Sequence, residues 1–158
     1  MTQGFNTSSI LKTIYHSIST TAFSGKTPTD TTTLHKEARY AQNLDGGFAS
    51  RQYEAEVNLP QGAIVTSFKM YYKRFDAASA MSANLRISTF AGTGAASMAS
   101  VAATDATGNI SSIEDTTITS ATIDNAGNTY CIELTINNNN SINDVFCYGF
   151  LIAYTVKE

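Results

Sequence analysis

The chain has 158 residues, of which 42% are hydrophobic and 15% charged, and its formal net charge is −3. That length supplies one domain with a sizeable buried core and is too short for two ordinary domains, and the composition lacks the low hydrophobicity and high net charge of a disordered chain. The densest basic group is Lys69, Lys73 and Arg74, too few cations for phosphate binding as a main role, so nucleic acid is excluded as a partner; no apolar run approaches the ~20 residues of a membrane span.

Met1 to Ser9 lack the basic and apolar regions of a signal peptide, so a particle-associated or cytoplasmic location is expected over classical secretion. Residues 1–33 read as a polar arm with one short apolar element, Ile10 to Ile18, and residues 34–158 as the main domain. Ile10, Ile14 and Ile18 are four apart, as on a helix, whereas the β-branched content and the following Ser19-Thr20-Thr21 fit a strand better. Thr27 to Thr33 is expected to be a loop, and Leu44-Asp45-Gly46-Gly47 a tight turn.

The clearest pattern runs from Tyr53 to Tyr72. Tyr53, Ala55, Val57 and Leu59 alternate with Gln52, Glu54, Glu56 and Asn58, which predicts a strand with one dry and one wet face. After Pro60-Gln61-Gly62, Ile64, Thr66, Phe68, Met70 and Tyr72 repeat the alternation against Val65, Ser67, Lys69, Tyr71 and Lys73. Phe75 to Ala83 is a linker with helical propensity. Further strands are predicted at Asn84–Ala91, Ala96–Ala103, Thr116–Ile123, Asn128–Ile136 and Val145–Val156, separated by Gly- and Asn-rich turns. The last has Phe146, Tyr148, Phe150, Ile152 and Tyr154 on one face and Val145, Cys147, Leu151 and Ala153 on the other. A strand apolar on both faces belongs at the centre of a sheet, or under a partner chain or the N-terminal arm. Short strands at regular spacing predict an all-β, antiparallel β-sandwich, jelly-roll-like, of about eight strands.

The order of Ile14-Tyr15-His16-Ser17-Ile18 with the following Ser19 to Phe23, then Tyr53 to Leu59, Leu59-Pro60-Gln61-Gly62-Ala63, Asn84-Leu85-Arg86, Ile123-Asp124-Asn125 and the closing Phe150 to Tyr154 resembles a known pattern. It is similar to uncharacterised β-sandwich domains with an "LPxGA" strand pair, carried by bacterial surface, secreted and phage-associated proteins. The resemblance covers most of residues 13–154 and implies a sandwich fold without catalytic residues.

Candidate chemistry is sparse. His16 and His35 have no Cys, Asp or His at zinc-ligand spacing, and no Gly-x-Ser-x-Gly elbow occurs. Glu54 and Glu56 stand about 7 Å apart by strand rise, a spacing compatible with paired carboxylates, although exposed alternation alone produces it. Asp105 and Asp124 each open an Asp-x-x-Gly-Asn segment that could supply Ca²⁺ oxygens or form an Asx-turn. Cys131 and Cys147 would face one another if the last two strands form a hairpin; otherwise they are packed thiols. No cofactor is expected. Among rings that could stack on a sugar, Tyr40, Tyr53, Tyr71 and Tyr72 are available, and Tyr71, flanked by Lys69 and Lys73 on the outward face, is the best candidate.

Two readings follow. The first is a non-catalytic structural subunit that self-assembles or decorates a larger particle such as a virion, tail fibre or surface filament, its partners being copies of itself or a structural protein. The alternative is a carbohydrate- or ligand-binding module. An enzyme has almost no support.

Overall fold

The computed structural model describes residues 10–45, 50–92, 94–139 and 141–158. Among these the chain forms strands β1 (Leu11–Ile18), β2 (Ser24–Gly25), β3 (Leu34–Lys36), β4 (Ala41–Asn43), β5 (Ser50–Glu56), β6 (Ile64–Arg74), β7 (Ala80–Thr89), β8 (Ala95–Ala102), β9 (Ile110–Asp115), β10 (Asn128–Asn137) and β11 (Val145–Lys157). A 3-10 turn (Thr20–Ala22) and one short helix, α1 (Pro28–Thr33), complete it.

The strands make two antiparallel sheets. The front sheet runs β3-β4-β11-β6-β9, with β1 also bonded to β11, and the back sheet runs β2-β5-β10-β7-β8. Strand β11 is the spine of the front sheet. Its one edge pairs with β6, and its other edge is shared between Ala41 of β4, opposite Cys147, and β1, in register from Leu11 opposite Lys157 to Ile18 opposite Phe150. The fold is thus the predicted antiparallel β-sandwich, with more and shorter strands than the alternation alone resolves.

The core lies between the sheets because one face of each long strand is apolar. Phe68, Met70 and Tyr72 from β6 and Phe150 and Ile152 from β11 meet Tyr53 and Ala55 of β5, Leu134 and Ile136 of β10, and Leu85 of β7, all buried. The rings of Phe68 and Phe150 stack with centroids 5.5 Å apart. Tyr53, Ala55, Val57 and Leu59 are buried together as their alternation predicts.

Several elements differ from expectation for identifiable reasons. β5 and β6 do not pair, because the turn between them carries the chain from the back sheet to the front. Ala63 N donates to Pro60 O at 3.1 Å, and Gly62 has φ +76°, the left-handed position a type II turn reserves for glycine. In β6, Thr66 is an extra residue between the pairs Ser67–Ala153 and Val65–Tyr154, so Val65 rather than Ile64 or Thr66 enters the core.

A second bulge, at Tyr148, lies between the pairs Cys147–Tyr72 and Gly149–Tyr71. It reverses the faces assigned to the first half of β11: Val145 and Cys147 are fully buried with Phe150 and Ile152, while Phe146 and Tyr148 turn outward beside Leu151. Gly149 permits it with φ +128°, and a Cβ there would stand 2.9 Å from Ile18 O.

Thr116–Ile123 is not a strand, and the strand pairing with β6 is the earlier Ile110–Asp115. The Asp115 carboxylate accepts from Thr117 N at 2.8 Å and Ser100 N at 2.9 Å, which turns the chain away; it returns at residues 121–123, where Thr122 bridges Ile64, Val65 N donates to Ala121 O at 2.9 Å and Ile123 N to Ala63 O at 2.8 Å. The expected loop at Thr27–Thr33 is mostly helix α1, started by a capping box between Thr27 and Asp30 with Pro28 at its first position. The Phe75–Ala83 linker is not helical. Ser79 N donates to Asp76 O at 3.2 Å in a turn, and Ala80 already begins β7. Residues 11–33 contribute β1 to the front sheet and β2 to the back sheet. Gly46 and Gly47 of the expected tight turn lie outside the described residues.

Candidate functional site

The outward face of the front sheet gathers aromatic side chains that the core does not use. On β6, burial of Phe68, Met70 and Tyr72 obliges Lys69, Tyr71 and Lys73 to point away from the back sheet. On β11 the Tyr148 bulge adds Phe146 and Tyr148 to this face. On β1, Tyr15 and Ser17 lie opposite Ala153 and Leu151 and join it as well. Tyr15 is 66% exposed and Tyr71 37%.

Beside Tyr71 is a depression of about 370 Å³ lined also by Ser17, Tyr148, Gly149 and Leu151. Beyond Tyr148 the aromatic surface continues: Tyr40 stands edge-on to Phe146 at 4.9 Å and 6.2 Å from Tyr148, and Phe75 is edge-on to Phe146 at 6.0 Å. The strip from Tyr15, level with Ala153, to Phe146 spans roughly 20 Å by strand rise.

Its charges are also ordered. The Lys69 ammonium is 2.9 Å from the Glu114 carboxylate. The hydrogen bond it donates to Glu114 holds the lysine above its usual range, and Tyr71 and Tyr15 are near enough to contribute in the same direction. Hydrogen bonds from Lys69 and Ser67 hold Glu114 below the usual carboxylate range. Lys73 lies over the Phe75 ring, 4.4 Å from its centroid. Burial and a hydrogen bond with Glu37 push the Tyr40 hydroxyl upward.

The three residues singled out from sequence, Tyr71, Lys69 and Lys73, are therefore neighbours on one accessible face. Tyr53 and Tyr72 are buried and unavailable to a ligand. Sequence alternation missed Phe146 and Tyr148, assigning them to the same face as Phe150. The signal that could have corrected it was a glycine inside an otherwise apolar strand, a common mark of a bulge.

The remaining candidates are dispersed. His16 is on β1 opposite Ile152, and His35 on β3, its ring 6.5 Å from Tyr40. Glu54 and Glu56 border a depression of about 610 Å³ on the back sheet with Thr129 and Cys131. It is the larger hollow, but Tyr130 at its margin is buried and offers no ring face, and Glu54 is 3.4 Å from Lys26. Glu133 anchors that face between Lys26 and Arg86.

The Asp124 carboxylate accepts from Ala126 N at 3.2 Å and Gln61 Nε2 at 3.3 Å, an Asx-turn geometry. Asp105 accepts from Ser111 Oγ at 2.7 Å. Among the described residues no three His, Cys, Asp or Glu side chains come together to hold a metal. Cys131 and Cys147 are free thiols on strands of different sheets, β10 and β11.

In sequence, the chain matches no protein-family model, and no curated protein is found to match it. In structure, it is similar to the C-terminal CBM6 of LamC, a marine laminarinase from Zobellia galactanivorans, at TM-score 0.50 and 12% identity over 89% of this chain and 98% of that one. It is also similar to TmCBM27, a carbohydrate-binding module described for mannan recognition, at TM-score 0.50 and 4% identity over 90% and 98% of the two chains. A chain from infectious bursal disease virus, Gx strain, aligns at TM-score 0.49 and 8% identity over 99% of this chain and 36% of that one. At such identities the likeness to the first two accords with the class of fold, an antiparallel β-sandwich, and shows nothing finer.

Proposed function

We propose that the protein is a non-catalytic carbohydrate-binding module whose saccharide lies on the outward face of the front sheet, centred on Tyr71. The observation that carries this reading is the pairing of exposed rings with a hollow: Tyr71 and Tyr148 border the 370 Å³ depression, with Tyr15 further along the same face. Sugar rings have apolar faces that stack on aromatic side chains, while Ser17 and the lysines offer hydrogen bonds at the rim. Similarity of fold to modules described as carbohydrate-binding favours this over the structural reading. Screening immobilised glycans is the test. Binding that falls about fivefold or more in Tyr71→Ala, from the ~1–3 kcal/mol that stacking of a ring on an aromatic side chain contributes, and less in Tyr15→Ala, is expected. Retention of full binding in both variants would remove the site from this face.

A second reading, a subunit of a larger particle, is favoured by Leu11, Phe75 and Ile110, which are 55%, 51% and 62% exposed on or beside the same face. It also accords with the resemblance to LPxGA sandwich domains of surface and phage-associated proteins. Sedimentation separates the two: an oligomer dissociated by Ile110→Glu supports assembly, and a monomer at high concentration counts against it.

A further inference from the structure

We infer that the saccharide on this face is acidic, carrying a carboxylate or sulfate that pairs with Lys73; this rests on the carbohydrate-binding reading above. On the back sheet each cation is neutralised: Lys26 by Glu54 and Glu133, Arg86 by Glu133, and Arg51 by Asp45. The front face differs. Its carboxylate Glu114 is engaged by Lys69, and Glu37 at the margin is bonded to Tyr40. Among the described residues, no carboxylate lies within ion-pair reach of Lys73.

The ammonium of Lys73 is nevertheless held in place, 4.4 Å over the Phe75 ring. A positioned cation without a counter-charge leaves a site for an external anion. Its location suits a saccharide. Lys73 is two residues from Tyr71 on the same strand face, roughly 7 Å away, about the distance from the centre of a stacked ring to a charged group on its neighbour. Lys69, the same distance on the other side of Tyr71, is already paired and adds no free charge. A chain of net charge −3 thus presents an uncompensated positive group beside its most aromatic surface.

Isothermal titration of the full chain against polygalacturonate and alginate (carboxylate), a sulfated galactan (sulfate), and neutral mannan and β-1,3-glucan tests this. The expected result is tighter binding to one of the acidic polymers, weakened by salt. Lys73→Gln should weaken that binding about tenfold or more, and weaken any binding of the neutral polymers, which lose a hydrogen bond but no ion pair, by a clearly smaller factor. Lys157→Gln, which removes the same charge far from Tyr71, should leave it unchanged and so excludes simple ion exchange. Thermal melts of the variants check folding. The carboxylate and sulfate polymers identify which anion is taken. Preference for a neutral polymer, or an unaltered Lys73→Gln, overturns the inference and leaves the carbohydrate reading standing. No binding to any polymer overturns both.

Discussion

Gly149 shows how one residue decides what a whole strand presents. Its φ of +128° lets the bulge at Tyr148 form, and its missing Cβ leaves room for the Ile18 carbonyl. Gly149→Ala is expected to destabilise the fold by about 1–3 kcal/mol, the usual cost of a non-glycine residue in such backbone, read from urea unfolding. Near-wild-type stability would mean that the bulge does not depend on the glycine. The two cysteines provide a second test at this scale. Burial pushes the Cys147 thiol up to about 12, and burial also raises that of the half-exposed Cys131. A thiol reagent at neutral pH should label Cys131 slowly, Cys147 only after unfolding. Labelling of both at equal rates in the native protein would contradict the placement of Cys147 in the core.

Among the elements, β1 is bound differently from the rest. Only Ile18 of its eight residues is buried, so backbone pairing with β11 holds it more than side-chain packing does. Its amides facing β11 should exchange hydrogen well before those of β10, which is paired on both edges and buries Ile132, Leu134 and Ile136. Equal protection would show that β1 opens only with the whole domain. The strands were legible in sequence wherever side-chain alternation ran unbroken, as from Tyr53 to Leu59 and from Phe68 to Lys73. Legibility failed at the two bulges, because one inserted residue inverts every assignment on one side of it. It failed again at β9, where the β-branched Thr116 to Ile123 has the higher strand propensity but Asp115 turns the chain away from β6. Of the binding face, Tyr71 and its lysines could be read from β6 alone. Tyr15, Tyr40, Phe146 and Tyr148 reach it through the sheet order and the bulge, which no local pattern encodes.

For the whole molecule, the shifted groups bracket a range of stability. Glu133, held below its usual 4.5 chiefly by the hydrogen bond from Lys26, stabilises the fold above that value and loses its contribution as pH falls. Asp76 and Asp105, lowered from 3.8 by backbone and Ser111 hydrogen bonds respectively, act in the same sense. On the alkaline side, burial raises Tyr53 from 10.0 and Cys147 from 9.0, each to about 12. The unfolded chain releases these protons first, so stability is fully present below pH 9 and is lost as pH rises toward 12. Melting temperature against pH should fall on both sides, and Tyr53→Phe should flatten the alkaline side. An unchanged alkaline slope in that variant would remove Tyr53 from the account.

The position of β10 and β11 within their sheets has a consequence for how the molecule is made. Each is the middle strand of its sheet, yet they are the last two strands in the sequence. A ribosome therefore releases every flanking strand before either centre exists, and the pairing of Leu11 with Lys157 joins the first residue of β1 to the last of β11. Edges such as those of β6 and β7 must wait unpaired, a long-range closure that makes folding slow and the waiting strands prone to association. Tyr15 and Tyr71 therefore share one surface only once β11 has joined β1 to β6.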